Sequence, residues 1–438
     1  MRSTHNGASR RLAPRARGLA AAAAAIPLLV GLAACSSGTT NAGGGSNGGS
    51  TGAASAPSAE CGTLPEIAPN DPNGVVAGLP AEVQALFNGN PYKAQATNWA
   101  DWKANGPIKV AYVTLPMLNA WSVGAKATLE QQFAEAKAKG LVTGDLIEEI
   151  MSDPANMTAQ EQIALYQDAV NKGAQLIFMV PFDPNAIAPS IDAAAAKGIP
   201  TVTINGYVDD ANAVNTSVNP YLDSGAPIAK ILGYMGGKGN ALIVRGVQGI
   251  ATDTNGYNAI QQVLANCPDV KVVGSVDGGF NPPAANAAVT QYLAANPGQI
   301  DAVFQVGTMA QGVYQAWFAS GRTPIAYVNN TGATAGSLAG WAQAIQQQPG
   351  YQTAGTGGTG TSQAQLAWEV GMRMAAGEGV KVNNISYESP VLTNDNFRQW
   401  LPSGADLNSP DETLNPEPLI STQLLDGYFS SPGLYQAK

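Results

Sequence analysis

The side chains able to do covalent or metal chemistry in this chain are few, and their positions restrict them further. The only histidine is His5, and the three cysteines are Cys35, Cys61 and Cys267. Once an N-terminal export segment is removed, no histidine remains. That excludes Ser-His-Asp and Cys-His catalysis and any histidine metal site. With Cys35 taken by the anchor considered below, Cys61 and Cys267 are too few for structural zinc, so neither a metal nor a catalytic residue is expected. Gly357-Gly358-Thr359-Gly360 is glycine-rich, but it lacks the lysine and the following helix start of a phosphate loop. No carboxylate pair or Ser-Lys spacing recommends an enzyme, and no cofactor is implied.

Residues 1–34 carry Arg2, Arg10, Arg11, Arg15 and Arg17 and no acid, and an apolar run from Gly18 to Ala34 follows. This is the layout of an export signal: cationic start, apolar middle, small residues at the cut. At 17 residues, with Pro27 inside, the run is a poor membrane span. Leu32-Ala33-Ala34-Cys35 resembles the lipobox of bacterial lipoproteins, which implies that Cys35 is acylated and becomes the first residue of a protein held on the outer face of the cell membrane. Ser9-Arg10-Arg11 leaves the export route, Sec or Tat, open. Residues 35–59 are, apart from Cys35 and Pro57, Gly, Ser, Thr, Ala and Asn, with too little apolar area to order themselves, and read as a flexible tether. An oxidising exterior makes a Cys61–Cys267 disulfide one possibility and two separate thiols the other. Without residues 1–34 the chain has 17 Lys+Arg against 31 Asp+Glu, a formal charge of −14. No basic face is available, so nucleic acid is not a partner.

The elements that would position a site begin after an irregular, proline-punctuated arm, residues 60–106, with one short helical stretch at Ala81–Phe87. From Ile108 short apolar strands alternate with helices. Ile108–Leu115, Asp145–Met151, Gln175–Val180 and Pro200–Ile204 read as strands, with helices at Val123–Lys139, Ala159–Lys172 and Asn185–Lys197. The alternation resumes after Asn205–Asn219, with strands at Ala241–Val244, Val270–Val276, Ala302–Val306, Ile325–Val328 and Tyr351–Thr353. Such strands belong to parallel sheets covered on both faces. The break at Asn205–Asn219 favours two doubly wound α/β lobes over a single eight-unit barrel.

In order along the chain, Val110–Trp121, Asp168–Ile187, Lys197–Asn205, Asn215–Gly225, Val244–Ile260, Gln299–Gly312 and Ile325–Gly332 resemble segments of the type I periplasmic binding proteins of the ribose-binding kind, the sugar-capturing subunits of ABC importers. The resemblance spans roughly Ile108–Val391. It implies an α/β fold of two parallel-sheet lobes joined by a three-crossing hinge, the first lobe being residues 107–218 plus 359–388 and the second 219–358 plus 389–405. Residues 406–438 are left as a C-terminal tail. It also implies a monomer that partners an importer's permease subunits and traps solute between strand C-termini of both lobes. The alternative is a binding protein that reports to a membrane receptor.

A sugar or polyol presents hydroxyls and apolar C–H faces, so its site pairs amides and carboxylates with aromatic planes. Residues of those types follow the predicted strands. They are Asn119 and Trp121, Phe182 and Asp183, Asn205 and Tyr207, then Asn219 at the first crossing. In the second lobe they are Thr252, Asp253 and Asn255, Phe280 and Asn281, Gln305 and Thr308, and Asn330 beside Asn329. Asn or Asp after a strand also serves as a helix N-cap, Asp183 and Asp253 above all. Phe182 and Phe280 equally suit lobe cores, whereas Trp121 is better placed for ligand contact, with the first lobe's core as its alternative. Asp253, Gly307 and Asn330 stand where the ribose-type pattern has Arg, Asp and Asp. Asn205-Gly206 stands where Asp-Arg is common, and Gly355–Thr361 where the hinge often supplies Gln. A less charged pocket than that for ribose is therefore expected.

Overall fold

The computed structural model describes residues 60–152 and 157–435. Residues 1–59, where the export signal, the lipidated Cys35 and the tether are expected, lie outside it. The arm contains α1 (Ala81–Ala85). The first lobe then runs β1 (Val110–Thr114), α2 (Ala120–Ala138), β2 (Ile147–Ile150), α3 (Ala159–Asn171), β3 (Leu176–Met179), α4 (Pro184–Ala195), β4 (Thr201–Ile204) and β5 (Ala213–Val218). The second lobe follows with α5 (Pro220–Tyr234), β6 (Lys238–Arg245), α6 (Ala251–Leu264), β7 (Asp269–Asp277) and α7 (Pro282–Ala295). It continues through β8 (Ala302–Gln305), α8 (Ala310–Ser320), β9 (Tyr327–Val328), α9 (Ala335–Gln347) and β10 (Ala354–Thr356). The chain returns to the first lobe with α10 (Gly360–Ala375) and β11 (Asn384–Tyr387), crosses back for β12 (Val391–Thr393), and ends with α11 (Thr422–Asp426) in the tail.

The first sheet has strand order β11-β5-β4-β3-β1-β2, and all of its pairs are parallel. Successive side chains point to opposite faces, and here both faces are covered. Val110, Tyr112, Leu176 and Phe178 pack with Trp368 of α10 on one side, while Ala111, Val113, Ile177 and Met179 pack with Tyr166 of α3 and Ile191 of α4 on the other. That is why these strands read as unbroken apolar runs. The second sheet, β7-β6-β8-β9, is also parallel; an Asn330–Gly355 bridge continues it to the antiparallel pair β10-β12.

Three sequence expectations change. Asn205–Asn219 is not only a connector, because β5 lies within it; its polar Asn215, Thr216 and Ser217 are buried and hydrogen-bonded. The strand expected at Tyr351–Thr353 falls instead at β10, three residues on. The glycine run ending at Gly360 does open a helix, α10, whose N-terminal Gly360 meets α2 so closely that a Cβ there would lie 1.8 Å from the Trp121 carbonyl oxygen.

Arm and tail both join the body and both pass between the lobes. Cys61 is bonded to Cys267 after α6, and Tyr221 of α5 donates to the Pro65 carbonyl, so the arm starts on the second lobe. It then buries Val76, Leu79, Val83 and Phe87 in the first lobe's core. The tail leaves the second lobe where Ala335 N–H donates to the Asp411 carbonyl. The Glu412 carboxylate then accepts from the Gly360 N–H at 2.5 Å and the Thr361 hydroxyl at 2.7 Å, where the N-terminal dipole of α10 favours a negative charge. Further on, Ile420, Leu425, Tyr428 and Phe429 enter the first lobe's core, and Asp426 pairs with the buried Arg373.

Candidate functional site: a cleft between the lobes

The two sheets turn their strand C-termini toward one another, and the space between them is a cleft of about 970 Å³, counted with the open solvent at its mouth. Six of the residues expected at the site line it: Asn119, Trp121, Asn205, Thr252, Phe280 and Thr308. The other nine do not. Asp183, Asn219 and Asn281 cap the N-termini of α4, α5 and α7. Asp253 is fully buried and spent on Arg245 and the Gly246 N–H. Tyr207 stacks on Tyr92 of the arm with ring centroids 4.4 Å apart, and the Tyr92 hydroxyl accepts from Asn255. Phe182 follows β3 away from the cleft, its N–H donating to Gln162. Gln305 lies beneath the cleft, where its amide oxygen accepts from Met309 N–H and its amide N–H groups reach the Asn329 and Thr331 carbonyls. Asn330 is buried behind that loop, donating to the Tyr314 hydroxyl and the Val328 carbonyl.

Asn119 has an additional task. Its amide oxygen accepts from the Ser122 N–H as the cap of α2, while its Nδ2 donates across the cleft to the Phe280 carbonyl at 2.9 Å. With Asn281 Nδ2 reaching back 3.4 Å to the Leu118 carbonyl, the lobes hold each other at the rim opposite the hinge. Trp121 belongs to the first turn of α2 rather than to the preceding loop. Its indole N–H donates to Gln363 Oε1 at 2.6 Å, which fixes the half-buried ring against the cleft. Gln363, in the first turn of α10, thus supplies the hinge-side amide that Gly355–Thr361 lacks.

Two independent features single out this cleft. Among the described residues, the non-glycine positions with positive φ are Asn205 (47°), Phe280 (54°) and Thr308 (57°), and all three line it. For Thr308, a β-branched residue, that conformation is strained. Strain of this kind persists where surrounding structure enforces it and gathers at functional sites. Moreover, Asn205 Oδ1 and Thr308 Oγ1 are buried without a hydrogen-bond partner. A buried polar atom without a partner is costly, so both atoms are suited to a guest that brings donors. Trp121, Phe280 and aliphatic side chains such as Leu115, Val180 and Ile250 supply the apolar surface.

Asp223, Ser389 and Gln363 line the cleft and are not among the residues expected there from sequence. Asp223 sits inside the first turns of α5, and burial raises its pKa against the hydroxyls of Ser389 and Thr356, which favour the charged form. Among the described residues no group of three or more His, Cys, Asp or Glu could hold a metal ion, and no helix is long and apolar enough to cross a membrane.

Residues 110–379 match the family described as periplasmic binding protein domain. The chain belongs to that family. Over 298 residues, 68% of this chain and 80% of the relative, it is 26% identical to the xylitol-binding protein of Mycolicibacterium smegmatis. Its fold is that of ABC transporter solute-binding proteins. One from Thermobispora bispora superposes with a TM-score of 0.58 at 22% identity, covering 70% of this chain and 90% of that one. Another, from Bacillus halodurans with bound myo-inositol, gives 0.57 at 17% identity, with coverage of 68% and 98%. These relatives are binding proteins, as is this one.

If the Thr308 hydroxyl serves a guest, Thr308→Gly should separate stability from binding. The variant should relax the left-handed backbone and hold or gain stability, by up to about 1 kcal/mol, while solute affinity falls about 10-fold. Thermal melting and calorimetric titration of the same preparation check this; a large stability loss at unchanged affinity would make the hydroxyl structural.

Proposed function

We propose that this protein captures a small polyhydroxylated solute, a polyol or a sugar, between its lobes and passes it to the permease subunits of an ABC importer. In this reading it works from the outer face of the cell membrane, held there through a lipid on Cys35. The observation that carries the reading is the pairing of unpartnered acceptors with aromatic planes in one cleft. Asn205 Oδ1 and Thr308 Oγ1 await donors, Trp121 and Phe280 offer ring surface, and no lysine or arginine is among the cleft's lining residues. A polyol matches that set, since each hydroxyl donates and each C–H face packs on a ring. The relative named for xylitol and the similar fold holding myo-inositol support the same class.

Calorimetric titration of the purified protein with xylitol, myo-inositol, D-allose, L-arabinose and glycerol tests the class. At least one neutral member should bind with a micromolar or tighter Kd. Retention of none of these, with capture of an apolar or acidic solute instead, would overturn the reading. For the anchor, Cys35→Ser should abolish labelling of the exported protein by a fatty-acid probe; a variant that still labels would move the anchor elsewhere.

A further inference from the structure

Asp223 is the one ionisable side chain among the cleft's lining residues. It lies where the three hinge crossings meet: α5 starts directly after the first crossing, Thr356 ends β10 before the second, and Ser389 belongs to the third. Hydroxyls from Thr356 and Ser389 approach the carboxylate and favour its charged form. Among the described residues, none of the ion pairs includes it. Three other buried or half-buried carboxylates are provided for: Asp253 by Arg245, Glu378 by Arg373, and Glu412 by the α10 N-terminus. Asp223 instead faces the open cleft. Beside it the Tyr387 hydroxyl is buried without a partner, and its pKa is held well above the ordinary tyrosine value by burial and by the Asp223 charge.

A carboxylate removed from water and given no cation is costly unless donors satisfy it, and charge-assisted hydrogen bonds are the strong way of doing so. A second negative charge in the same enclosed space would be repelled with no lysine, arginine or histidine to offset it. We infer that Asp223 is the residue that sets the charge selectivity of the cleft. Its carboxylate accepts from a hydroxyl or an ammonium group of the solute at the hinge wall and turns away solutes bearing carboxylate or phosphate. This rests on the cleft being the solute site and adds the rule by which solutes are sorted there. The neutral polyol remains the expected cargo, an amine in place of the hinge-side hydroxyl is accepted, and the oxidised acid of the same carbon skeleton is refused.

The test uses the full-length protein in detergent and a matched series built on whichever neutral compound of the panel above binds most tightly. For xylitol the series is xylitol, 1-amino-1-deoxyxylitol and xylonate, each titrated calorimetrically into wild type and Asp223→Asn. Wild type should bind the amine at least as well as the neutral compound and the acid about 100-fold more weakly. Asp223→Asn should bind the neutral compound about 10-fold or more weakly than wild type does, and its preference over the acid should shrink to within about 10-fold. Should the variant fail to fold, as judged by circular dichroism, the wild-type series decides alone: comparable affinity for acid and neutral compound overturns the inference. An Asp223→Asn protein that keeps both affinity and discrimination also overturns it while leaving the cleft's role intact. If wild type binds no neutral member of the panel, the proposed function falls and this inference with it.

Discussion

Val110 and Tyr112 pack to one side of the first sheet while Ala111 and Val113 pack to the other, and the same division recurs in β3. Parallel strands covered on both faces leave no sheet surface for polar work. Polar side chains that must meet a guest are confined to the strand C-termini and the helix starts that follow them. Two such sheets, set with those edges toward each other, make the cleft from what remains. Asn119, Trp121, Asn205, Thr252, Phe280 and Thr308 all occupy that edge. The left-handed backbone at three of these residues is carried by the packed strands behind it.

The hinge is more heavily tied than three crossings would make it. The disulfide-bonded start of the arm and the segment from Asp411 onward each pass from the second lobe to the first, so five stretches of chain connect them. The two additional ties end in the first lobe's core, on Phe87 and on Tyr428 and Phe429. Glu412 touches the start of α10, the helix that also supplies Gln363 to Trp121. The tail thereby reaches the cleft through one helix end, and neither arm nor tail lines the cleft with its own residues.

The lobes and their order were legible in the sequence because an apolar run as short as Gln175–Val180, bounded by helical segments, fits little besides a strand buried on both faces. The strand β5 was not, since Asn215, Thr216 and Ser217 look like a loop until their buried partners are known. The candidate site was half legible for a related reason. An asparagine after a strand caps a helix whether or not it also meets a solute, and sequence does not separate Asn219 or Asn281, which cap helices and donate to neighbouring carbonyls, from Asn119 and Asn205, which line the cleft. Asp223 and Gln363 carried no signal at all, because each lies within a helix and faces the cleft only through the way the crossings converge.

Solute sits, on this reading, between the lobes against an acceptor-rich wall. A crystal structure of the protein with its bound solute tests this most directly. The expected result is a ligand ring or chain packed on Trp121 and Phe280, with donors within about 3 Å of Asn205 Oδ1 and Thr308 Oγ1. A solute found outside the cleft, or inside it with those two oxygens still unpaired, would contradict it.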